Sequence, residues 1–196
     1  MAGNSLNASA FLRTFLAVPL AHAFSREITH VLQALKPKTD AVKWVRPEQV
    51  HLTLHFFGSI PQNDVTNIRN LLTPITAQTP ALALRIDGLG FFPAPERPKV
   101  IWLGLAGDLT RLATLRQEIE SALAGGGFPC ESREFKPHVT IGRVREGGSI
   151  RMSLREMNPD ITTGLEPFDR LILYQSHLTP DGPRYEPLET FLLSQK

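Results

Sequence analysis

The chain has 196 residues, 42% hydrophobic and 20% charged, the composition of an ordinary globular protein rather than of a disordered, collagenous or coiled-coil chain. Its single cysteine, Cys130, excludes an intrachain disulfide and a cysteine-rich zinc site, and a reducing, cytoplasmic setting is expected. The formal charge of +2, from 21 Lys and Arg against 19 Asp and Glu, lies far from the broad basic surface that holds long nucleic acid, so any phosphate recognition is expected to be local.

Residues 1–9 are small and polar and are expected to be a flexible N-terminus; residues 10–196 read as one domain. The apolar run at 10–24 ends in Ala21-His22-Ala23, like a secretory signal. No Lys or Arg precedes Leu12, however, Arg13 lies inside the run and Pro19 interrupts it, so a first strand is expected there. No run approaches the roughly 18–20 apolar residues of a membrane span. A strand fits 12–18, and a helix fits 20–35 with Phe24, Ile28, Val31, Leu32 and Leu35 in one stripe, ended by Pro37. A short strand at 42–45 and a turn at 46–48 lead to a clear alternating strand at 50–57, closed by Gly58. A helix at about 62–73 and a strand at 81–92 complete the first half.

The second half repeats that order. A strand at 99–105 leads to a helix at 108–124, with Asp108 as N-cap and Gly125-Gly126-Gly127 as its stop. A strand at 138–144, a short helix near 150–157, a strand at 168–177 and a closing strand at 184–193 follow. His51 and His138 are 87 residues apart, and the first strands, second helices and third strands of the two halves keep nearly the same offset. The expected fold is therefore α+β and bilobal: a duplicated β-α-β-α-β unit, with lobes at about 11–95 and 98–180. Two mainly antiparallel sheets would face a central cleft, with helices outside.

Each repeat carries H-x-T on its middle strand. Alternate side chains share a face, so His51 and Thr53 point one way about 7 Å apart, as do His138 and Thr140. Two imidazoles in one cleft can serve as acid and base near neutrality, and threonine hydroxyls can donate to the non-bridging oxygens of a phosphodiester undergoing in-line displacement. His51-x-x-x-His55 would be a metal pair only on a helix. On a strand its rings lie about 13 Å apart, so no metal and no cofactor is expected, and His55 is placed at the cleft edge. His22, His30 and His177 read as structural or surface residues. Arg143 reaches the phosphate only if a bulge at Gly142 turns it, since strict alternation puts it on the face opposite His138. Lys136 shares parity with His138, with its direction left open by Pro137. Phe15 stacks a terminal base or is a core aromatic, two alternatives the sequence leaves equal. Phe56 and Phe57 read as core or cleft wall, and Arg97 and Lys99 as solvated loop charges or contacts to an RNA backbone.

These residues resemble the 2H phosphoesterases, specifically the RNA 2′,3′-cyclic phosphodiesterases historically called 2′-5′ RNA ligases. The resemblance runs through Arg13-Thr-Phe-Leu-Ala17, Trp44 to Gly58, Phe92-Pro93, Pro98 to Gly104, Phe135 to Arg143, Leu173 to Ser176 and Tyr185 to Leu188. It implies hydrolysis of a terminal ribose 2′,3′-cyclic phosphate to a 2′-phosphomonoester without metal. His51 would be the proton donor to the leaving 3′ oxygen, His138 the proton acceptor for water, and Thr53 and Thr140 the phosphate donors. Sequence alone does not fix that order of the histidines. The implied partners are RNA 3′ ends or small nucleotides with a cyclic phosphate, bound by a monomer. Reversible 2′-5′ ligation, hydrolysis of a small cyclic nucleotide and non-catalytic RNA-end binding stay open beside it.

Overall fold

The structure, a computed structural model, describes residues 10–131, 134–148, 161–180 and 182–195. The segment 1–9 and the helix expected near 150–157 lie outside the described residues. In chain order the elements are β1 (Phe11–Pro19), α1 (Ala21–Leu35), β2 (Val42–Trp44), β3 (His51–Pro61), α2 (Asp64–Gln78), β4 (Leu82–Phe92), β5 (Val100–Gly107), α3 (Leu109–Gly125), β6 (His138–Val144), β7 (Glu166–Phe168), β8 (Arg170–Thr179) and β9 (Gly182–Leu192). Short 3₁₀ turns at Lys36–Lys38 and Pro47–Gln49 flank β2. The α+β architecture expected from the alternating periods is present, with every strand pair antiparallel.

The apolar stripes are what place the helices. Phe24, Ile28, Val31, Leu32 and Leu35 of α1, Ile68 and Leu72 of α2, and Leu112, Leu115, Ile119 and Leu123 of α3 are all buried in one core. The strands contribute their opposing faces, Leu52, Leu54, Val139 and Ile141 among them, which leaves His51, Thr53, His138 and Thr140 on the face turned from the helices. Two helix ends depart from the sequence pattern. Helix α2 continues past 73 to Gln78 with Pro74 inside it; Pro74 is exposed, so the carbonyl that loses its N–H partner faces solvent. Asp108 occupies the N-cap of α3 but makes no cap bond, because its Oδ2 accepts from Ala83 N–H and from Arg111 Nη1, each at 2.9 Å.

Instead of two separate sheets, the strands follow one curled path, β7-β4-β5-β6-β3-β1-β8-β9, with β2 added to β6. A bridge joins Pro80, just before β4, to Ser194, just after β9, but among the described strands the halves of this path pair only at β3 and β6, through Leu52 with Val139. Beyond that pair the strands splay, and the splay is the cleft. Nor do the spatial halves coincide with the sequence repeats at 11–95 and 98–180: β4, from the first repeat, pairs with β5, and β8, from the second, pairs with β1. Each half thus takes its third strand from the other repeat. The exchange keeps the approximate twofold relation and ties the chain into one unit.

Candidate active site

The pair Leu52 with Val139 is antiparallel. Continuing its register by one residue each way sets His51 across from Thr140, and Thr53 across from His138. The histidines thus stand on one diagonal about this pair and the threonines on the other. No hydrogen bond among the described residues claims the Thr53 or Thr140 hydroxyl, and both side chains are half-buried at the cleft.

Each imidazole is held in the same way. His51 Nδ1–H donates to the Gln49 carbonyl at 2.7 Å, and His138 Nδ1–H to the Lys136 carbonyl at 2.6 Å. A carbonyl only accepts, so both rings carry their proton on Nδ1 when neutral and turn Nε2 to the cleft. Lys136 therefore contributes its backbone oxygen; its side chain is exposed near Glu134 at 3.7 Å. Aromatic walls fix the ring planes. His51 stacks on Phe15 with centroids 4.8 Å apart and meets the edge of Tyr185 at 5.2 Å, while His138 meets Phe92 at 4.9 Å and Trp102 at 5.9 Å. Phe15 is 4% exposed and Tyr174 stacks on it at 5.4 Å, so it has no open face for a base, and the core alternative applies. Its partner under the 87-residue offset is Trp102, which fills the same role beside the other histidine.

Two β-bulges set the facing of the residues just after each motif. The registers of β1 with β3 and of β5 with β6 skip one residue just past each threonine, at Leu54 and at Ile141. These positions too are 87 apart. The bulge in β6 buries Ile141 and Gly142 together and returns Arg143 to the cleft; a side chain at Gly142 would meet Val42 and Trp44 of β2 within 3 Å. The bulge in β3 buries Leu54 and His55 together and returns Phe56 to the cleft, where Arg13 lies over its ring at 4.7 Å.

His55 is accordingly not at the cleft edge but 1% exposed behind it. Its Nδ1–H donates to Glu120 Oε1 at 2.8 Å, and its Nε2 is buried without a partner among the described residues. Glu120 also pairs with Arg116 at 3.1 Å. Arg116 Nε donates to the bulged carbonyl of Leu54 at 3.1 Å, and its guanidinium lies 4.6 Å from the Phe135 ring centroid. This brace touches the strand of one histidine and the approach to the other. His22 and His30 are exposed, and His177 is half-buried, 3.0 Å from Glu186.

The cleft holds two cavities that share Thr53. One, of about 180 Å³, is lined by His51, Thr53, Thr140, Arg143 and Tyr185 together with Lys43 and Arg46. The other, of about 530 Å³, takes in His138, Phe56, Phe92, Pro93 and Phe135. Burial is the main force lowering the pKa of His51, partly offset by its bond to the Gln49 carbonyl and reinforced by the charges of Arg143 and His138. His138 is lowered for the same leading reason, with Arg143 adding to it. Among the described residues no three His, Cys, Asp or Glu side chains gather as a metal site. Tyr185, Phe92 and Trp102 are site residues that pattern reading did not single out, although applying the 87-residue offset to Phe15 would have found Trp102.

A duplicated α+β fold with an H-x-T strand in each half, its histidines facing one cleft, defines the two-histidine, or 2H, class. The chain belongs to the 2′-5′ RNA ligase superfamily, whose family model matches residues 20–177. It is 32% identical over 185 residues to an RNA 2′,3′-cyclic phosphodiesterase of Methanothermobacter thermautotrophicus, covering 93% of this chain and 99% of that one. Against the protein of the same name from Aeropyrum pernix it is 37% identical over 150 residues, 75% of this chain and 84% of the other. Among solved structures, TT0787 of Thermus thermophilus superposes with a TM-score of 0.78 at 26% identity, over 93% of this chain and 98% of that one. LigT of E. coli, complexed with 3′-AMP, gives 0.77 at 25% identity over 94% and 99%.

Proposed function

We propose that the protein is a hydrolase that opens RNA 2′,3′-cyclic phosphate ends to 2′-phosphomonoesters by two-histidine acid and base catalysis. The observation that carries this reading is the pair of imidazoles, each tied through Nδ1 to a carbonyl two residues back and presenting Nε2 to one cleft between two unclaimed threonine hydroxyls. In the reaction His138 Nε2 accepts a proton from water as its oxygen attacks phosphorus opposite O3′. The P–O3′ bond breaks, and His51 Nε2–H gives its proton to the departing oxygen. Thr53 and Thr140 donate to the non-bridging oxygens, where charge accumulates, and Arg143 supplies a fixed positive charge beside them. The histidines end with their protons exchanged and reset through solvent. The curated relatives carrying the name of this activity support the reading, as does LigT, a structural neighbour solved with a bound nucleotide. One chain supplies both histidines, which supports a monomer; we place it in the cytoplasm, and no described helix is long and apolar enough to cross a membrane.

The cavity beside His138 is far larger than the roughly 30 Å³ that one water takes up, and it favours a second reading in which a ribose hydroxyl replaces water and a 2′-5′ bond is made or reversed. An oligonucleotide with a 2′,3′-cyclic end separates the readings. Hydrolysis is expected to yield a 2′-phosphate at the same rate with and without a chelator, and adding 5′-hydroxyl RNA is expected to divert only a minor share to ligated product. A 3′-phosphate product, or no product at all, would overturn the proposal.

The pH dependence follows from the histidine shifts. Both pKa values lie below the ordinary 6.5 because burial disfavours the imidazolium. One histidine must be protonated and the other neutral, so kcat/KM, which reports the free enzyme, is expected to be bell-shaped with its maximum below pH 6.5. In the bound state the phosphate anion opposes the Arg143 charge, and the kcat maximum is expected at higher pH. The same shifts act on stability. The unfolded chain binds protons on these histidines more readily, so stability is full above pH 6.5 and falls as pH drops through the lowered folded values. Rate profiles in the two regimes, with thermal unfolding from pH 7.5 down to 5, check both statements; a kcat/KM maximum above pH 7 would contradict the first.

A further inference from the structure

The approximate twofold axis through Leu52 and Val139 makes the two cavities counterparts, yet their charges differ. Phe56 and Arg143 are equivalents under the 87-residue offset, one turned to each side by its bulge. The cavity on the His138 side is balanced in charge: Arg116 is paired with Glu120, and Lys136 lies beside Glu134. On the His51 side the lining carries Lys43, Arg46 and Arg143, and no carboxylate among the described residues. Lys43 and Arg143 are direct partners across β2 and β6, an arrangement of like charges that is unfavourable in a sheet. An anion seated between them would turn that repulsion into attraction. Lys43 runs over the backbone of Gly182, its Cε and Nζ both 3.9 Å from where a Cβ would stand there, at the point where β9 begins, and the Gln49 side chain donates to the Pro183 carbonyl beside it. The cationic wall is thereby built from three separate stretches of chain.

Resting on the cyclic phosphodiesterase reading, we propose that Lys43 and Arg46, with Arg143, form a second phosphate subsite. It takes the phosphoryl group on the 5′ side of the terminal nucleoside. The direction follows from the chemistry. His51 serves the departing O3′, so the ribose and everything attached to it lie on the His51 side, and that side alone is lined by cations with no carboxylate among the described residues. A substrate with a phosphate there, whether the next diester of an RNA or the phosphate of a small nucleotide, has a charged contact that a bare nucleoside 2′,3′-cyclic phosphate lacks.

The test compares adenosine 2′,3′-cyclic phosphate, its 5′-phosphorylated form and a cyclic-ended trinucleotide, with binding of the matching 2′-phosphate products measured alongside. The wild type is expected to favour the 5′-phosphorylated forms by about ten-fold or more in kcat/KM and in product affinity, a preference that weakens with salt. In K43Q/R46Q the ratio is expected to fall to near one, and in K43R/R46K to persist, which a merely structural role would not give. A trinucleotide favoured over the 5′-phosphorylated mononucleotide would identify RNA as the source of the phosphate; equal preference would identify a small nucleotide. Turnover of every substrate with no 5′-phosphate preference overturns the subsite and spares the activity. The preference in product binding without turnover does the reverse.

Discussion

Replacing His51 or His138 by Ala is expected to lower kcat/KM on a cyclic-ended oligonucleotide by about 10²–10⁴-fold, with the double variant scarcely worse than either single one. The near-equality follows from the diagonal. A proton leaves the attacking water and another joins O3′ in one displacement, so losing either imidazole disables the same event. The roles separate with a substrate whose leaving group is stable as an anion, such as a p-nitrophenyl phosphodiester. That leaving group needs no proton, so H51A is expected to recover most of its loss there while H138A recovers none. Recovery in H138A alone would reverse the acid and base assignment, and activity within ten-fold of wild type in both variants would end the two-histidine mechanism. Thermal unfolding accompanies these measurements, since both rings pack on aromatic neighbours and a collapsed site would imitate a catalytic loss.

Period-two alternation was enough to read which face of each strand carries a histidine and a threonine, and the 87-residue offset was enough to read that there are two such strands in one cleft. Alternation ceases to inform at a bulge. One extra residue at Leu54 and one at Ile141 invert the facing of the residues that follow, until a further shift at Phe57 resets β3, which is why His55 lies in the core and Arg143 in the cleft. The offset held the missing information, because equivalent positions in the two repeats accept the same irregularity, and it pairs Phe56 with Arg143. Strand neighbours were not legible. Hydrophobic pattern specifies which face of β4 and β8 is buried, whereas their exchange between the halves depends on long-range pairing that no local pattern encodes. The aromatic walls share this character: Tyr185 reaches His51 from a strand more than 130 residues away in the chain.

The bulge beneath the first motif depends on a buried charge pair, and Glu120→Ala is expected to destabilise the protein by about 3 kcal/mol, at the low end for breaking such a pair because the Arg116 and Glu120 side chains keep 13% and 14% exposure. For a domain of this size that corresponds to a fall in Tm of roughly 6–12 °C. The loss is large because Glu120 serves several donors at once. Its Oε1 accepts from His55 and pairs with Arg116, and its Oε2 accepts from the Glu131 N–H at 3.3 Å, so removing the carboxylate strands a buried imidazole and a guanidinium together. Catalysis is expected to suffer beyond stability. Arg116 holds the Leu54 carbonyl two residues from the midpoint of the His51–Thr53 step and packs on Phe135, three residues before His138, so a loosened guanidinium releases both motifs. At a temperature where the variant is fully folded, kcat should drop about ten-fold or more while KM changes little, since displacement of catalytic groups by an ångström is enough for such a loss. Glu120→Gln keeps one acceptor oxygen for His55 but gives up the charge and the second acceptor that serves the Glu131 N–H, so it is expected to fall between the wild type and Glu120→Ala in both Tm and kcat. A Glu120→Ala protein that melts within about 2 °C of wild type and turns over normally would show that the brace supports neither the bulge nor the histidines.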